Sequence, residues 1–463
     1  MLSGSRELRR EQEAPLSIED HPSARAARLH ALTVSAGAAK LTADELRALC
    51  LSLGADDVGF VSIEEPLIAQ ERAQIEYAFP GVKSLIAICC RMSMENVRSP
   101  LRSIANQTFH ATGHHVDDVC RSIVLALSDK GVRACNPSMA FPMEIANIPD
   151  KQPWLISLKL VAEAGGLGVR GIHRSVIHPK FGSFVLLGVV LVDREIEGLS
   201  KKLDYNPCVG CKLCVAACPV GAIQPDGHFD VSACMTHNYR EFLGGFSDWV
   251  ETVVDSKSVT GYRDRMEDGE TLSVWQSLAF GPNYKAAYCL SVCPAGEDVL
   301  GPFLAGKAEH VRTVVKPLQQ KEEPLYVVKG SDAESFASER YPHKRLRYVH
   351  NGARPTSVAN FLSAITWTFQ RGQSKGLNAT YHFTFTGAER TQATVVIADR
   401  KIDVRPGHHG TADARITADS RNWVKFLRGE RSLPRLLLTR KLRLSPLPQA
   451  AKLLAAFGRC FPA

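Results

Sequence analysis

Four closely spaced cysteines, in the segment CVGCKLCVAACPVGAI (208–223), are the residues of this sequence best suited to chemistry. The C-x2-C-x2-C spacing of Cys208, Cys211 and Cys214 allows one tight loop to direct three thiolates at a single iron–sulfur cluster. In the bacterial form of this motif the fourth cysteine, here Cys218 before Pro219, binds a different cluster. The run therefore predicts a second group of cysteines further along the chain.

The second group is predicted from the segments FDVSACMTHNY (229–239) and AAYCLSVCPAG (286–296). A regular second motif would have a cysteine three residues before Cys289, but Ala286 stands there. The second cluster is therefore expected to be a three-cysteine [4Fe–4S] cluster with another ligand, or a [3Fe–4S] cluster. The assignment is Cys208, Cys211, Cys214 and Cys293 for the first [4Fe–4S] cluster, and Cys218, Cys234 and Cys289 for the second.

A structural zinc site is the alternative for these cysteines, although zinc sites usually pair two C-x2-C units across a longer gap. The first thirty residues lack the apolar core of a secretory signal, so we expect a cytoplasmic protein, in which clustered thiols suggest metal binding. The other cysteines are expected to pack in apolar cores. They are Cys50, Cys89, Cys90, Cys120, Cys135 and Cys460.

Charge argues against a nucleic-acid partner, and hydropathy argues against a membrane span. The net charge of +8 is spread along the chain, so no nucleic-acid partner is expected. No apolar run approaches the roughly 18–20 residues of a membrane span. The segment FVLLGVVLV (184–192) is shorter and is predicted to be a buried strand.

The residues upstream of the cysteines must build the site that receives the electrons. Thr42 and Glu45 form a capping box for a helix that ends near Gly54. Strands and helices then alternate, which predicts an α/β sheet. The further predicted elements are strands at 57–63 and 84–92, a helix at 116–131 and a helix with a glycine-rich bend at 158–171.

The stretch AGGLGVRGIHRSVIHPKFGSFVLLGVVLVD (164–193) resembles the cobalamin-dependent epoxyqueuosine reductases and reductive dehalogenases. The shared features are the glycine-rich turn, the Gly182–Ser183 turn and a strand that leads into the cysteine run. The segment FDVSACMTHNYREFLG (229–244) also matches the part of epoxyqueuosine reductases that follows their first motif. The resemblance covers about residues 40–300.

This resemblance implies a base-off corrinoid that is reduced by the nearer cluster. It assigns cofactor binding to Gly166, Gly168 and Gly171, because a backbone without Cβ can approach a planar ligand closely. It also assigns cofactor binding to His173, which could contact the acidic periphery of the cofactor. Asp150, in PDKQPWLISLK (149–159), stands where the family has a proton donor. Ile156 replaces the glutamate expected in that motif, so a true epoxyqueuosine reductase is not expected.

The C-terminal segments resemble the sterol carrier protein type 2 domain over about residues 350–460. The residues that carry this are YHFTFTG, VVIADRKIDVRPG and ADARITADSRNWVKFLRGE, with a hairpin at Asp399–Arg400 and a helix capped by Asp419 or Ser420. Ser445–Pro446 replaces the usual Gly-Asp. The resemblance implies an apolar tunnel for lipids, sterols or acyl chains; the alternative is an interior filled by the domain's own side chains.

The predicted fold class is an α/β N-terminal domain with an inserted bacterial ferredoxin-like two-cluster module, followed by an α+β sterol carrier protein type 2-like domain. The expected divisions are a tail at 1–40, an α/β domain at 41–205, the module at 206–300, a partly ordered linker at 301–349 and the last domain at 350–463.

The predicted function is an iron–sulfur reductase that receives electrons from a ferredoxin- or flavodoxin-type donor and acts on an apolar substrate. The alternatives are an electron-transfer protein without its own catalytic cofactor, and a lipid-binding protein whose clusters are structural or redox-sensing.

Overall fold

The structure is a computed structural model that describes residues 21–35, 41–144 and 154–462. Asp150 lies outside these described residues. Within them, no helix combines the length and the apolarity needed to cross a bilayer.

A four-stranded sheet forms the centre of the N-terminal region, with strand order β2-β3-β7-β4 and antiparallel neighbours throughout. The elements of this region are α1 (Pro22–Ser35), β1 (Leu41–Thr42), α2 (Ala43–Ser52), β2 (Asp57–Ser62), a 3₁₀ turn (Pro66–Ile68), α3 (Arg72–Ala78), β3 (Ser84–Arg91), α4 (Met94–Arg98), α5 (Arg102–Ser128), β4 (Ala134–Cys135), α6 (Leu158–Ala164), β5 (Val169–Arg170), β6 (Val176–Ile177), β7 (Val185–Val192) and β8 (Ile196–Glu197).

Helices cover both faces of this sheet. Helices α2 and α5 pack on one face, with Cys50 and Ile123 in their core. Helix α6 packs on the other face, through Val161 and Ala164. Because both faces are covered, every residue of β3 except Arg91 is buried, which explains its continuous apolar sequence.

The predicted strands and the capped helix are confirmed. The Thr42 hydroxyl accepts a hydrogen bond from the Glu45 N–H at 3.4 Å and so caps α2. The helix expected at 116–131 is longer than expected and begins at Arg102. Five of the six cysteines expected in cores are buried, and Cys135 is half-buried.

Short helices dominate the cysteine-containing region and the segment that follows it. The elements are α7 (Leu213–Ala217), α8 (Val231–His237), a 3₁₀ turn (Arg240–Phe242), α9 (Gly245–Asp255), α10 (Val259–Arg263), α11 (Asp268–Phe280), α12 (Tyr288–Ser291), α13 (Glu297–Ala305), α14 (Lys307–His310), a π-helical turn (Val311–Val315), α15 (Lys316–Gln320), β9 (Pro324–Val327), α16 (Asp332–Arg340) and β10 (Arg345–Tyr348).

The segment 301–349 is more ordered than the partly ordered linker expected from its charge. Strands β9 and β10 pair in parallel, and Leu325 and Val327 of β9 are fully buried. Val327 packs in the same core as Cys214 and Cys218. A few buried apolar residues therefore outweigh the many charged neighbours on this segment.

The C-terminal region is a five-stranded sheet with helices, in strand order β13-β12-β11-β14-β15. Strands β11 and β14 are parallel and the other neighbours antiparallel. The hairpin expected at Asp399–Arg400 is confirmed, with φ values of 51° and 60°. The elements are α17 (Val358–Thr368), β11 (Ala379–Thr386), β12 (Thr391–Ala398), β13 (Lys401–Pro406), β14 (Ala414–Asp419), α18 (Ser420–Leu427), α19 (Leu433–Leu438), β15 (Leu442–Ser445) and α20 (Gln449–Arg459).

Candidate functional site

Seven cysteines from three separate segments come together among the short helices that follow the N-terminal sheet. Cys208 and Cys211 lie on the loop before α7, Cys214 lies within α7, and Cys218 ends it. Cys234 lies in α8 and Cys289 in α12. Helix α12 packs against α7, which brings cysteines almost eighty positions apart into one region.

The first predicted group has a common electrostatic environment. Burial raises the pKa of Cys293 to about 11, and the thiols of Cys211 and Cys208 are close enough to raise it further. Burial also raises the pKa of Cys214, and Cys289, Cys293, Cys211 and Cys208 add to the effect. Cys214 therefore lies at the boundary between the two predicted groups.

The second predicted group also shares an electrostatic environment. Burial and the nearby Cys218 raise the pKa of Cys289, which reaches about 12. The pKa of Cys234 is raised by burial and then by Cys289 and Cys218. Cys234 therefore lies in the field of the other two thiols.

Backbone N–H groups are directed at the sulfurs. The Ile172 N–H donates to Cys208 Sγ at 3.4 Å, and the Ala222 N–H donates to Cys218 Sγ at 3.3 Å. Although burial raises the pKa of Cys218, the N–H groups of residues 220–223 act to lower it. Such donors stabilise thiolates, the form that binds metal, so these residues fit an iron–sulfur cluster.

A single zinc ion would require four sulfurs that each lie about 2.3 Å from the metal. In the described parts of the chain, no three His, Cys, Asp or Glu side chains converge in a way that would hold a single metal ion.

Ala286 occupies the place of the expected fourth cysteine of the second group. It is 7% exposed, and its N–H donates to Asn238 Oδ1 at 2.9 Å. The backbone carbonyl of Asn238 accepts from the Lys285 N–H at 3.1 Å. Asn238 therefore fixes this loop, and a methyl group stands where a thiolate would be.

Other parts of the backbone lie close to the glycines that were predicted to bind the cofactor. A Cβ on Gly166 would lie 2.6 Å from the Lys201 carbonyl oxygen, and one on Gly168 would lie 2.4 Å from the Ile177 carbonyl oxygen. The absence of side chains here permits close backbone packing after α6, not an open surface for a planar ligand. Close packing of the chain on itself therefore accounts for Gly166 and Gly168, where the sequence predicted close approach to a planar ligand. Their role in cofactor binding remains a prediction.

Two small cavities are lined by described residues near this region. Each has a volume of about 10 Å³, which is roughly the space for one water molecule. One lies between α5 and α12, beside Tyr288, and the other lies between α8 and the C-terminal region, beside Thr236 and Gln370.

Two polar residues near the cysteines have unusual environments. His173 is 4% exposed, and burial, together with the charge of Lys159, lowers its pKa to about 4. Burial lowers the pKa of Lys159, while the thiols of Cys234 and Cys289 act in the opposite direction. Lys159 was not predicted as a site residue, because it precedes the first of the clustered cysteines by almost fifty positions.

The interior of the C-terminal region is filled by aromatic side chains. Tyr381, Phe383 and Trp423 are at most 1% exposed, and Phe383 lies 5.9 Å from Trp423 and 5.5 Å from Phe457 between ring centroids. The described residues therefore match the alternative of a filled interior more closely than an open tunnel. The Trp423 Nε1 has no hydrogen-bond partner in the described structure.

The C-terminal region contacts the cysteine-containing region directly. Arg371 forms an ion pair with Asp226 at 2.6 Å and donates to Gln224 Oε1 at 3.2 Å. Gln370 Oε1 accepts from the Asp332 N–H at 2.8 Å. Gln224 and Asp226 follow the first cysteine run, whereas Asp332 begins α16.

Comparisons with known proteins match two separate parts of the chain to known families. Residues 201–224 match the 4Fe-4S binding domain family, and residues 368–445 match the SCP-2 sterol transfer family. An epoxyqueuosine reductase of Bacillus cereus is 25% identical over 217 residues, covering 40% of this chain and 53% of the relative. That of Staphylococcus aureus is 35% identical over 171 residues, covering 36% and 42%.

The chain spans about half the length of these curated relatives. Among solved structures, an epoxyqueuosine reductase with a tRNA-Tyr stem loop is 17% identical, covering 70% of this chain and 80% of that one, with a TM-score of 0.33. A catabolic reductive dehalogenase is 14% identical, covering 59% and 34%, with a TM-score of 0.35. The chain contains an epoxyqueuosine reductase- and reductive dehalogenase-like region with a 4Fe-4S binding domain, and a C-terminal SCP-2 domain.

Proposed function

We propose that this protein is an iron–sulfur reductase that acts on an apolar substrate held by its C-terminal domain. The observation that carries the proposal is that cysteines from three segments influence one another's pKa values. The match to epoxyqueuosine reductases supports reduction as the reaction class. The match to the SCP-2 family supports an apolar ligand.

The proposed ligands are those predicted from the sequence. Cys208, Cys211, Cys214 and Cys293 hold a [4Fe–4S] cluster, and a second cluster is held by three cysteines. When bound, such clusters pass one electron at a time. Val292 beside Cys293 is fully buried, whereas Cys211 is exposed. The N–H groups of Ile172 and Ala222 would stabilise the negative sulfurs.

The second cluster is proposed to have an open coordination position. Cys218, Cys234 and Cys289 supply three thiolates, and Ala286 cannot supply a fourth. Lys159 places a positive charge near Cys234 and Cys289, which stabilises the added electron. The C-terminal domain contacts this side of the module, through Arg371, so an apolar substrate would lie near the second group.

The catalytic acid and the corrinoid remain predictions. Asp150 is proposed as the proton donor on the sequence match alone. Cobalamin binding by Gly166, Gly168, Gly171 and His173 is proposed on the resemblance alone. A ferredoxin- or flavodoxin-type protein is the proposed electron donor.

The second candidate function is electron transfer. Such a protein would pass electrons from its donor to a partner enzyme, with the C-terminal domain serving as a lipid-binding or docking unit. The match of residues 201–224 to the 4Fe-4S binding domain family supports this alternative.

One preparation tests both functions. The protein is purified without oxygen, and its iron, sulfide, cobalt and extractable lipid are measured before and after reconstitution with cobalamin. About seven or eight iron atoms with bound cobalt would support the reductase with a corrinoid. The same iron without cobalt would favour electron transfer to a partner, and a protein without iron would refute both.

A further inference from the structure

His173 has a buried polar atom that the protein leaves unpaired. Its Nδ1 accepts a hydrogen bond from the Ser175 N–H at 3.1 Å. Its Nε2 is buried and has no hydrogen-bond partner in the described structure. Because Nδ1 is an acceptor, the proton of the neutral ring is assigned to Nε2. A buried N–H donor without an acceptor is costly, by about 1–3 kcal/mol, and calls for a partner.

The surroundings of the ring favour its neutral form. Burial and the positive charge of Lys159 together lower the pKa of His173 to about 4. The position of the ring and its unpaired Nε2 carry the inference about its role.

Gly171 places this ring beside the first cysteine group. A Cβ on Gly171 would lie 3.4 Å from Cys208 Sγ and 3.4 Å from His173 Cε1. The sulfur and the ring edge thus flank the same glycine, and Cε1 is bonded directly to Nε2. The Ile172 N–H, between these residues in the chain, donates to the same sulfur at 3.4 Å.

The loop that carries the ring is rigid. The Gly171 N–H donates to the Ser175 carbonyl at 3.0 Å, and the Arg174 N–H donates to the Gly171 carbonyl at 2.9 Å. Arg174 has a φ of 64°, a conformation that completes this tight turn. The position of His173 relative to Cys208 is therefore fixed by the backbone.

We propose that His173 is a positioning residue that directs its Nε2–H at the cluster held by Cys208, as a hydrogen-bond donor to that thiolate or to a neighbouring cluster sulfide. The proposal rests on the proposed iron–sulfur function. A donor stabilises the reduced state more than the oxidised state, because the reduced state has one more negative charge. It therefore raises the reduction potential of the first cluster, and the electron comes from the low-potential donor protein.

The test compares His173→Phe with His173→Gln by redox titration of the anaerobic full-length protein. The phenylalanine variant fills the space without a donor, and we expect its first cluster to become at least about tenfold harder to reduce, a potential lower by about 59 mV. The glutamine variant keeps an N–H donor and is expected to recover part of this loss. The second cluster should be unchanged in both.

A matched control is available in His237. It is 1% exposed, its Nδ1 accepts from the Tyr326 N–H at 3.3 Å, and its Nε2 is also unpartnered in the described structure. His237→Phe removes a similar donor outside the loop, so the first cluster should keep its potential. Pulsed EPR on reduced protein with ¹⁵N-labelled histidine should show a weak nitrogen coupling in the wild type and in His237→Phe.

The outcomes separate this inference from the proposed function. Iron-loaded wild-type protein without a histidine coupling would overturn the role of His173 and leave the clusters in place. So would an unchanged potential in His173→Phe with its full iron content. If His173→Phe fails to assemble its clusters, the histidine nitrogen coupling of the wild-type protein decides whether His173 lies at the first cluster. Wild-type protein that binds no iron would overturn the proposed function and this inference together.

Discussion

Replacing Glu323 with glutamine is expected to destabilise the protein by about 3 kcal/mol. The Glu323 side chain is 8% exposed and joins three parts of the chain. It contacts Lys344 Nζ at 2.9 Å, Arg102 Nη2 at 3.2 Å and the Tyr288 hydroxyl at 2.7 Å. Tyr288 precedes Cys289, so this carboxylate also anchors the short helix that carries a predicted cluster ligand.

The magnitude follows from the pKa of Glu323. Burial alone would raise it, but the charges of Arg102 and Lys344 outweigh burial and lower the pKa from 4.5 to about 2. Since one pKa unit corresponds to about 1.4 kcal/mol, the ionised carboxylate contributes about 3 kcal/mol. A lowered pKa means that this stability is present above pH 4.5 and is lost as the pH falls towards 2.

The assay is urea unfolding of the anaerobic protein, followed by tryptophan fluorescence at pH 7 and pH 5. Glu323→Gln should shift the midpoint similarly at both values, because both lie above 4.5. Glu309→Gln, in an exposed pair with Arg312, is the control and should change stability by less than about 0.5 kcal/mol. Adding Lys344→Met should recover part of the loss, since the buried lysine then no longer lacks its partner. A Glu323→Gln midpoint equal to the control's would refute the reasoning.

Three further outcomes are expected. Cys218→Ser should lose iron from the second cluster while Cys460→Ser, a core cysteine, keeps its full content; equal iron in both would contradict the ligand assignment. Ala286→Cys should complete the second motif, so that iron measured after exposure to air falls more slowly than in the wild type; a faster fall would show that a fourth thiolate does not fit. Gly168→Ala should reduce the yield of soluble, folded protein, because its Cβ would lie 2.4 Å from a carbonyl oxygen. Gly269→Ala in α11, where a Cβ would meet no atom within 4 Å beyond the neighbouring backbone of its helix, should instead stabilise the protein by up to about 1 kcal/mol. Thermal melts followed by circular dichroism would compare the two variants, and a Gly168→Ala melting temperature equal to that of the wild type would argue against the close packing.

Features set by neighbouring residues were predictable from the sequence. Thr42 caps α2 because its hydroxyl accepts a hydrogen bond from the N–H of Glu45, which is only three residues away. The turn at Asp399–Arg400 follows from local backbone preferences. The burial of Tyr381, Phe383 and Phe385 on one face of β11 follows from the two-residue period of a strand. The cysteine run is a local signal of the same kind, since its spacing fits one loop.

Other features depended on which distant segments pack together. Alternating strands and helices predicted an α/β sheet, but its strands are antiparallel, and nothing local specifies their direction. The two apolar strands of segment 301–349 were hidden among charged residues. The aromatic residues of the last domain were consistent with a tunnel until their packing showed a filled interior.

The sequence by itself determined that this protein groups its thiols for iron–sulfur chemistry and that a sterol carrier-like domain follows. Only the tertiary structure decided that Lys159 and His173 lie beside those thiols, that Asn238 closes the loop at Ala286, and that the glycines pack against the chain's own carbonyls. The physical reason is the distance along the chain over which each interaction acts. Helix caps, turns and cysteine motifs depend on residues a few positions apart. Desolvation and the pairing of charges depend on groups that folding brings together from far along the chain.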